Sequence, residues 1–198
     1  MNLKKRLFAA TGVATLAALT AFSGPAFAAA PINGQGTTSC TITSGKASFN
    51  PALKNGGTAT SVAIKIKISV TCNSGTLDGA NVASGKVSGT LHSTSNDCGG
   101  LVGPTSVTGN LTAKWKVHPA TPKLNPSTLG ITTITGGVSG SNASFATSGP
   151  VTAGSFNGKT NQANATTQET IAALGASCGS NGGLKKITIA NGGTFTIS

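Results

Sequence analysis

Few side chains in this sequence could do chemistry, and four cysteines are the most informative of them. Cys40, Cys72, Cys98 and Cys178 form an even set, which in an exported protein is typical of two disulfides. No two have the C-x-x-C spacing of a structural zinc site, so we expect no metal and no cofactor. The preferred pairs are Cys72 with Cys98, joining a strand end to a nearby loop, and Cys40 with Cys178, tying the first strand to the segment that enters the last ones.

Groups for acid–base catalysis are equally scarce. Asp78 and Asp97 lie in glycine-containing turns, where aspartate usually bonds to the backbone, and Glu169 occupies a helix-capping position. His92 lies on the polar side of a predicted strand, and His118 directly precedes a proline. The sequence also lacks a P-loop and a dinucleotide fingerprint. We therefore predict that the protein is not an enzyme. The weakest alternative is a secreted hydrolase with a minimal catalytic site.

Lysines offer a different kind of chemistry. Lys65 and Lys67 alternate on one predicted strand, and Lys114 and Lys116 alternate on another. If those strands are neighbours, four ammonium groups form a patch that could hold an anionic cell-wall polymer or the envelope surface. Exposed lysines also keep β-proteins soluble, and that explanation stays open. With no tyrosine and one arginine in the chain, nucleic acid is not an expected partner.

The first 28 residues have the pattern of a secretory signal peptide. Three basic residues at positions 4–6 precede the uncharged run 7–22, and Ala26 and Ala28 have the spacing that signal peptidase recognises. We predict cleavage after Ala28 and a secreted product without a transmembrane anchor. Removing 28 of 198 residues leaves 170, and removing three of fourteen basic residues leaves eleven lysines against three carboxylates, a net charge of +8.

The elements that must position these side chains are predicted to be β-strands. The clearest covers residues 62–72, where aliphatic residues and Cys72 take every even position and lysines lie among the odd ones. Weaker alternation covers residues 86–94, 107–117 and 184–190, and turns rich in glycine and asparagine separate the segments. Trp115 falls on the apolar side of its segment, which predicts a core residue.

These elements predict a mainly all-β protein, an antiparallel β-sandwich that is immunoglobulin-like in architecture, with two disulfides. Thr166 and Glu169 have the spacing of a capping box, which predicts one short helix near Thr167–Leu174. Residues 29–38 are predicted to be a flexible N-terminal lead. Residues 39–198 then form one domain, with a proline-rich break at 118–127 as an alternative internal boundary.

Four segments of the mature region resemble small secreted proteins of unknown function from actinobacteria. They are the opening Cys40-Thr-Ile-Thr-Ser-Gly-Lys, the strand ending at Cys72, the Trp115 strand with its lysines, and Cys178 with the later Gly183-Leu-Lys-Lys-Ile-Thr-Ile. The resemblance implies a secreted, disulfide-bonded β-protein and no particular activity. We predict a non-catalytic interaction protein of the cell envelope or extracellular space with a lysine-rich face. The alternative is a carrier of a small apolar ligand held between the sheets.

Overall fold

The computed structural model describes residues 30–77, 80–118 and 123–198. The predicted signal peptide and Asp78 lie outside these ranges. The described strands, the 3₁₀ turn and the helix have the following bounds: β1 Thr38–Leu53, β2 Val62–Leu77, β3 Ala80–Ser93, 3₁₀ turn Cys98–Leu101, β4 Pro104–His118, β5 Ser127–Gly130, β6 Thr133–Ser139, β7 Asn142–Ala153, β8 Thr160–Thr170, α1 Ile171–Gly179, β9 Leu184–Ile189 and β10 Thr194–Ile197.

All of these strands belong to one antiparallel sheet that closes on itself. β1 to β4 pair in chain order, and β4 pairs with both β5 and β6, each of which pairs with β7. β7 pairs with β8, and β8 pairs with β9 and β10, which both return to β1. Opposite walls of the closed sheet therefore face each other across the core, as the two sheets of a sandwich do.

The predicted antiparallel all-β class, with one short helix and two disulfides, is confirmed. The difference from an immunoglobulin-like sandwich is that the β7–β8 ladder joins the two walls into one sheet. β4 and β5, on either side of the proline-rich segment 118–127, pair with each other in that sheet.

Backbone hydrogen bonds attach part of the predicted N-terminal lead to the domain. The Ile32 amide donates to the Lys123 carbonyl oxygen at 2.9 Å, and the Phe156 amide donates to the Gly34 carbonyl oxygen at 2.7 Å.

The alternation predicted for β2 is present in the structure. Val62 and Val70 are buried on the inner face, while Lys65 and Lys67 are exposed on the outer face. A slip of one residue would move the aliphatic row into water, so burial of that row fixes the register of β2 against its neighbours.

Trp115 lies in the core, as predicted, and both its ring and its polar atom have partners. The ring packs edge-on against Phe156 with centroids 5.4 Å apart. The indole N–H donates to the Ser127 hydroxyl oxygen at 2.8 Å, and that hydroxyl donates to the Ser155 carbonyl oxygen at 2.6 Å. This short chain of hydrogen bonds removes the cost of burying an indole nitrogen.

β8 is a strand that the sequence analysis did not predict, and because of it the helix begins later than predicted. β8 stays paired with β7 as far as Thr170, which lies opposite Asn142, so the helix begins only at Ile171. The helix is confirmed, but the capping box with Thr166 as N-cap is wrong, because Thr166 belongs to the β7–β8 ladder. Thr170 is the N-cap, and its hydroxyl oxygen accepts a hydrogen bond from the Ala173 amide at 3.2 Å.

All four cysteines are in disulfides, as predicted, but the preferred pairing is wrong. Cys40 is bonded to Cys72, and Cys98 is bonded to Cys178. Cys40 and Cys72 are direct partners in the β1–β2 ladder at one end of the sheet. At the other end, the Cys98 amide donates to the Lys54 carbonyl, just beyond β1, and Cys178 lies in the last turn of α1. The preferred pairs would each have to span most of the length of the sheet.

Peptide mapping tests this pairing directly. Trypsin cleaves after the lysines that separate all four cysteines, so non-reducing digests should contain one peptide pair with Cys40 and Cys72 and one with Cys98 and Cys178. A peptide linking Cys40 to Cys178 would contradict the structure.

Replacing both Cys98 and Cys178 by serine should lower the free energy of unfolding by about 4–5 kcal/mol in the chain-entropy relation.

Removing Cys40 and Cys72 provides the matched comparison. That bond joins residues 32 apart, against 80 for the other bond, so the same relation gives a smaller loss of about 3–4 kcal/mol. Urea unfolding of the two double-serine variants measures both losses.

Candidate functional site

The four lysines predicted to form an anion-binding face all lie exposed on the outer side of the sheet. Lys65 and Lys67 are in β2, and Lys114 and Lys116 are in β4. β3 lies between these strands, so the condition that they be direct neighbours is not met. Two strand spacings, roughly 10 Å, separate one lysine pair from the other.

Further lysines occupy the neighbouring strands. Lys86 of β3 lies directly opposite Lys114 of β4 on one side and Ser69 of β2 on the other. Lys46 of β1 lies directly opposite Lys67 of β2. Opposed residues on one face of an antiparallel pair have Cβ atoms about 5 Å apart, so these side chains form a continuous positive surface.

We call this surface the lysine face. It covers five consecutive strands, β9, β1, β2, β3 and β4, which extend roughly 19 Å across the sheet at the usual strand spacing. Serine and threonine fill many positions between the charges, as at Ser48, which lies opposite both Lys65 and Lys186. The seven exposed lysines of the face are Lys46, Lys65, Lys67, Lys86, Lys114, Lys116 and Lys186.

A shallow groove crosses the centre of the lysine face, over β1, β2 and β3. Its polar lining combines three lysines with three serines: Lys46, Lys67, Lys86, Ser44, Ser69 and Ser88. Ammonium groups and hydroxyls can both donate hydrogen bonds to phosphate or carboxylate oxygens. The groove is therefore the place where one anionic group could contact three strands at once.

The two acidic side chains in the described ranges lie away from the centre of the lysine face. Asp97 precedes the 3₁₀ turn, and its Oδ1 accepts a hydrogen bond from the Gly56 amide at 3.2 Å. Glu169 lies at the β9 margin, near Lys186, where its carboxylate accepts from the Thr188 amide at 3.0 and 3.1 Å. Neither of them neutralises the lysines of β2, β3 and β4.

Opposing effects act on the pKa of Glu169. Partial burial raises the pKa, but hydrogen bonds from Thr188 and the charge of Lys186 outweigh it and hold the pKa below its ordinary value of 4.5. The role in a capping box that the sequence suggested for Glu169 is wrong. The carboxylate ties the end of β8 to β9 instead.

The two histidines are exposed and distant from each other. His92 lies opposite Thr108 near one end of the β3–β4 ladder, and His118 lies opposite Asn81 at the other end. Within the described ranges, no three histidine, cysteine, aspartate or glutamate side chains are grouped so that they could hold a metal ion. The described part of the chain also has no helix long and apolar enough to cross a membrane.

Sequence analysis missed Lys46, Lys86 and Lys186 as members of the face. Alternation placed Lys86 on the polar side of its strand, which is where it lies. Which lysines oppose one another depends on strand order and register, and periodicity within one strand contains no information about either.

Comparisons with known proteins add no assignment: no family model, no curated protein and no solved structure matches this chain. The resemblance to secreted actinobacterial proteins therefore stays a prediction. The lysine face has to be interpreted from its own geometry.

Replacing Glu169 by glutamine should make the fold less sensitive to acid. Because the folded-state pKa is depressed, the carboxylate contributes its full stability above about pH 4.5 and loses it as the pH falls through the lower folded-state value. The variant should therefore be less stable than the wild type at neutral pH, and the difference should shrink on acidification. Urea unfolding at a series of pH values measures this, and a difference that stays constant would contradict the assignment.

Proposed function

We propose that the protein is a non-catalytic binding protein of the cell envelope or extracellular space, and that it holds a phosphate-bearing wall polymer on the lysine face. The observation that carries this proposal is the set of seven exposed lysines on five adjoining strands. Each lies on a hydrogen-bonded strand, so the sheet holds the bases of these side chains at fixed spacings. The charges are thus presented as an ordered array.

Two features support a location outside the cytoplasm. Within the described residues every cysteine is in a disulfide, and disulfides persist mainly in oxidising compartments. The predicted signal peptide over residues 1–28 would provide the export route. Secretion with cleavage after Ala28 is part of the proposal.

A polymer suits the lysine face better than a single small anion. The groove between Lys46, Lys67 and Lys86 has room for one anionic group, while the other lysines continue the positive surface on both sides. One exposed ion pair contributes only about 0.2–1 kcal/mol, so useful affinity requires several contacts made together. A chain with repeated phosphates supplies such contacts from one molecule.

Nucleic acid fits the face less well than a wall polymer does. The chain has no tyrosine, and its single arginine, Arg6, lies in the predicted signal peptide. Its single tryptophan, Trp115, is buried against Phe156. The face therefore presents point charges without the aromatic platforms on which bases stack or the guanidinium forks that bind phosphate in two places.

The absence of catalysis is also proposed. Asp97 and Glu169 each accept backbone hydrogen bonds that give them structural roles. His92 and His118 lie at opposite ends of one ladder, too far apart to act on one reacting centre. General acid–base catalysis requires such groups within hydrogen-bond reach of one reacting centre.

Charge replacement in the groove tests the proposal. Changing Lys46, Lys67 and Lys86 to glutamine together should weaken binding to purified wall teichoic acid about 10- to 100-fold at low ionic strength, because three contacts are lost. Titration of the polymer at low and high salt measures the affinity, and wild-type binding should weaken as salt rises.

The matched control changes Lys54, Lys123 and Lys159, which lie between strands elsewhere on the protein, to glutamine. It removes the same charge and should bind almost as well as the wild type. Equal weakening in both variants would show that only net charge matters, and binding unaffected by salt would overturn the proposal. Tighter binding to anionic lipid vesicles than to the polymer would contradict the choice of partner.

A further inference from the structure

Two inward-facing residues of β2 are less buried than the residues on either side of them. Val62 and Val70 are 0% and 2% exposed, whereas Ile66 and Ile68 between them are only partly buried. In a solid core, neighbours would surround Ile66 and Ile68 as closely as they surround Val62 and Val70. The pattern therefore indicates open space beneath this part of β2.

The opposite wall of the sheet shows the same pattern. In β7, Phe145 is partly buried, although Ala143 and Val151 on the same face are 0% and 1% exposed. In β8, Ala163 and Ala165 are partly buried between inward-facing residues that are fully buried. Because inward-facing residues of both walls are incompletely buried, the space lies inside the closed sheet.

A cavity of about 130 Å³ occupies this position, and most of its lining is apolar. Ile66 and Ile68 line it from one wall, and Phe145, Ala163 and Ala165 line it from the other. The two alanines leave volume that longer aliphatic side chains would fill. In the described ranges, every buried side-chain nitrogen and oxygen has a hydrogen-bond partner, so none of them requires a polar ligand or a bound water.

The two ends of the cavity differ. At one end Phe195 lines the cavity and packs against Trp115, with ring centroids 6.2 Å apart, so an aromatic layer closes it. At the other end the lining includes Ser95 and Asp97, which are exposed. Solvent therefore reaches the cavity beside Cys98, where the 3₁₀ turn is bonded to α1.

We propose that this cavity is a binding site for a compact, uncharged apolar molecule of about the size of an aromatic ring. An engineered cavity of about 150 Å³ with a similar aliphatic and aromatic lining stays dry and binds benzene or xenon. Among the aliphatic and aromatic side chains that form most of the lining, a charged ligand would lose its hydration without gaining a hydrogen-bond partner. Lys46 lines both this cavity and the groove of the lysine face, but the apolar site lies inside the sheet and does not depend on the polymer binding proposed for the outer surface.

Benzene is the probe for this site, used with the oxidised mature protein. At ten times its dissociation constant it should raise the midpoint of thermal unfolding by about 3–6 °C, because it binds only the folded state. It should also shift the methyl resonances of Ile66 and Ile68. Benzoate, which has the same ring with a charge, should leave those resonances unchanged.

Substitution in β8 locates the effect. Ala163→Leu fills the cavity and should abolish both responses to benzene. Ala146→Leu adds the same atoms at an exposed position of β7 and should keep both responses. Lys114→Gln with Lys116→Gln changes only the lysine face and should also bind benzene normally, so the two proposals can fail separately.

Xenon keeps the proposal falsifiable if Ala163→Leu does not fold. Crystals of the wild-type protein under xenon pressure should show xenon between Ile66 and Ala163. Crystals without xenon at this place would overturn the proposal. It would also be overturned if benzene left the unfolding midpoint and the methyl resonances of the wild-type protein unchanged.

Discussion

The ladder between β7 and β8 joins the two ends of the strand order, which would otherwise be open edges. It consists of eight residue pairs, from Asn142 with Thr170 to Pro150 with Thr160. Closure gives every strand one face towards a shared interior and one face towards water, so the alternation of residues along each strand decides the chemistry of both sides. The lysine face and the internal cavity are the outer and inner results of this one constraint.

The lysine face is an array of like charges, and neither acidic side chain in the described ranges neutralises its lysines on β2, β3 and β4. Lys86 and Lys114 are direct cross-strand partners, as are Lys46 and Lys67, and like charges in such positions oppose pairing. The long lysine side chains reduce the repulsion by spreading into water. The anionic polymer that we propose as partner would offset this repulsion, so the cost present in the free protein would favour its binding.

Local sequence patterns predict which way side chains point more reliably than which strands meet. The alternation in β2 and the inward position of Trp115 were predicted from single segments, and both are confirmed. The Cys40–Cys72 bond and the position of Lys86 opposite Lys114 depend on strand order and register. These are long-range properties, which periodicity within one strand does not contain.

β8 shows where the local signal is overridden. Its sequence, TNQANATTQET, lacks the aliphatic alternation of a half-buried strand, yet backbone pairing with β7, β9 and β10 makes it one. The same composition has a second consequence, because Ala163 and Ala165 present only methyl groups to the interior. Isoleucine at these positions would have revealed the strand in the sequence and would also have filled the cavity. The missed strand and the internal cavity therefore have one cause: the strand that closes the sheet has small side chains.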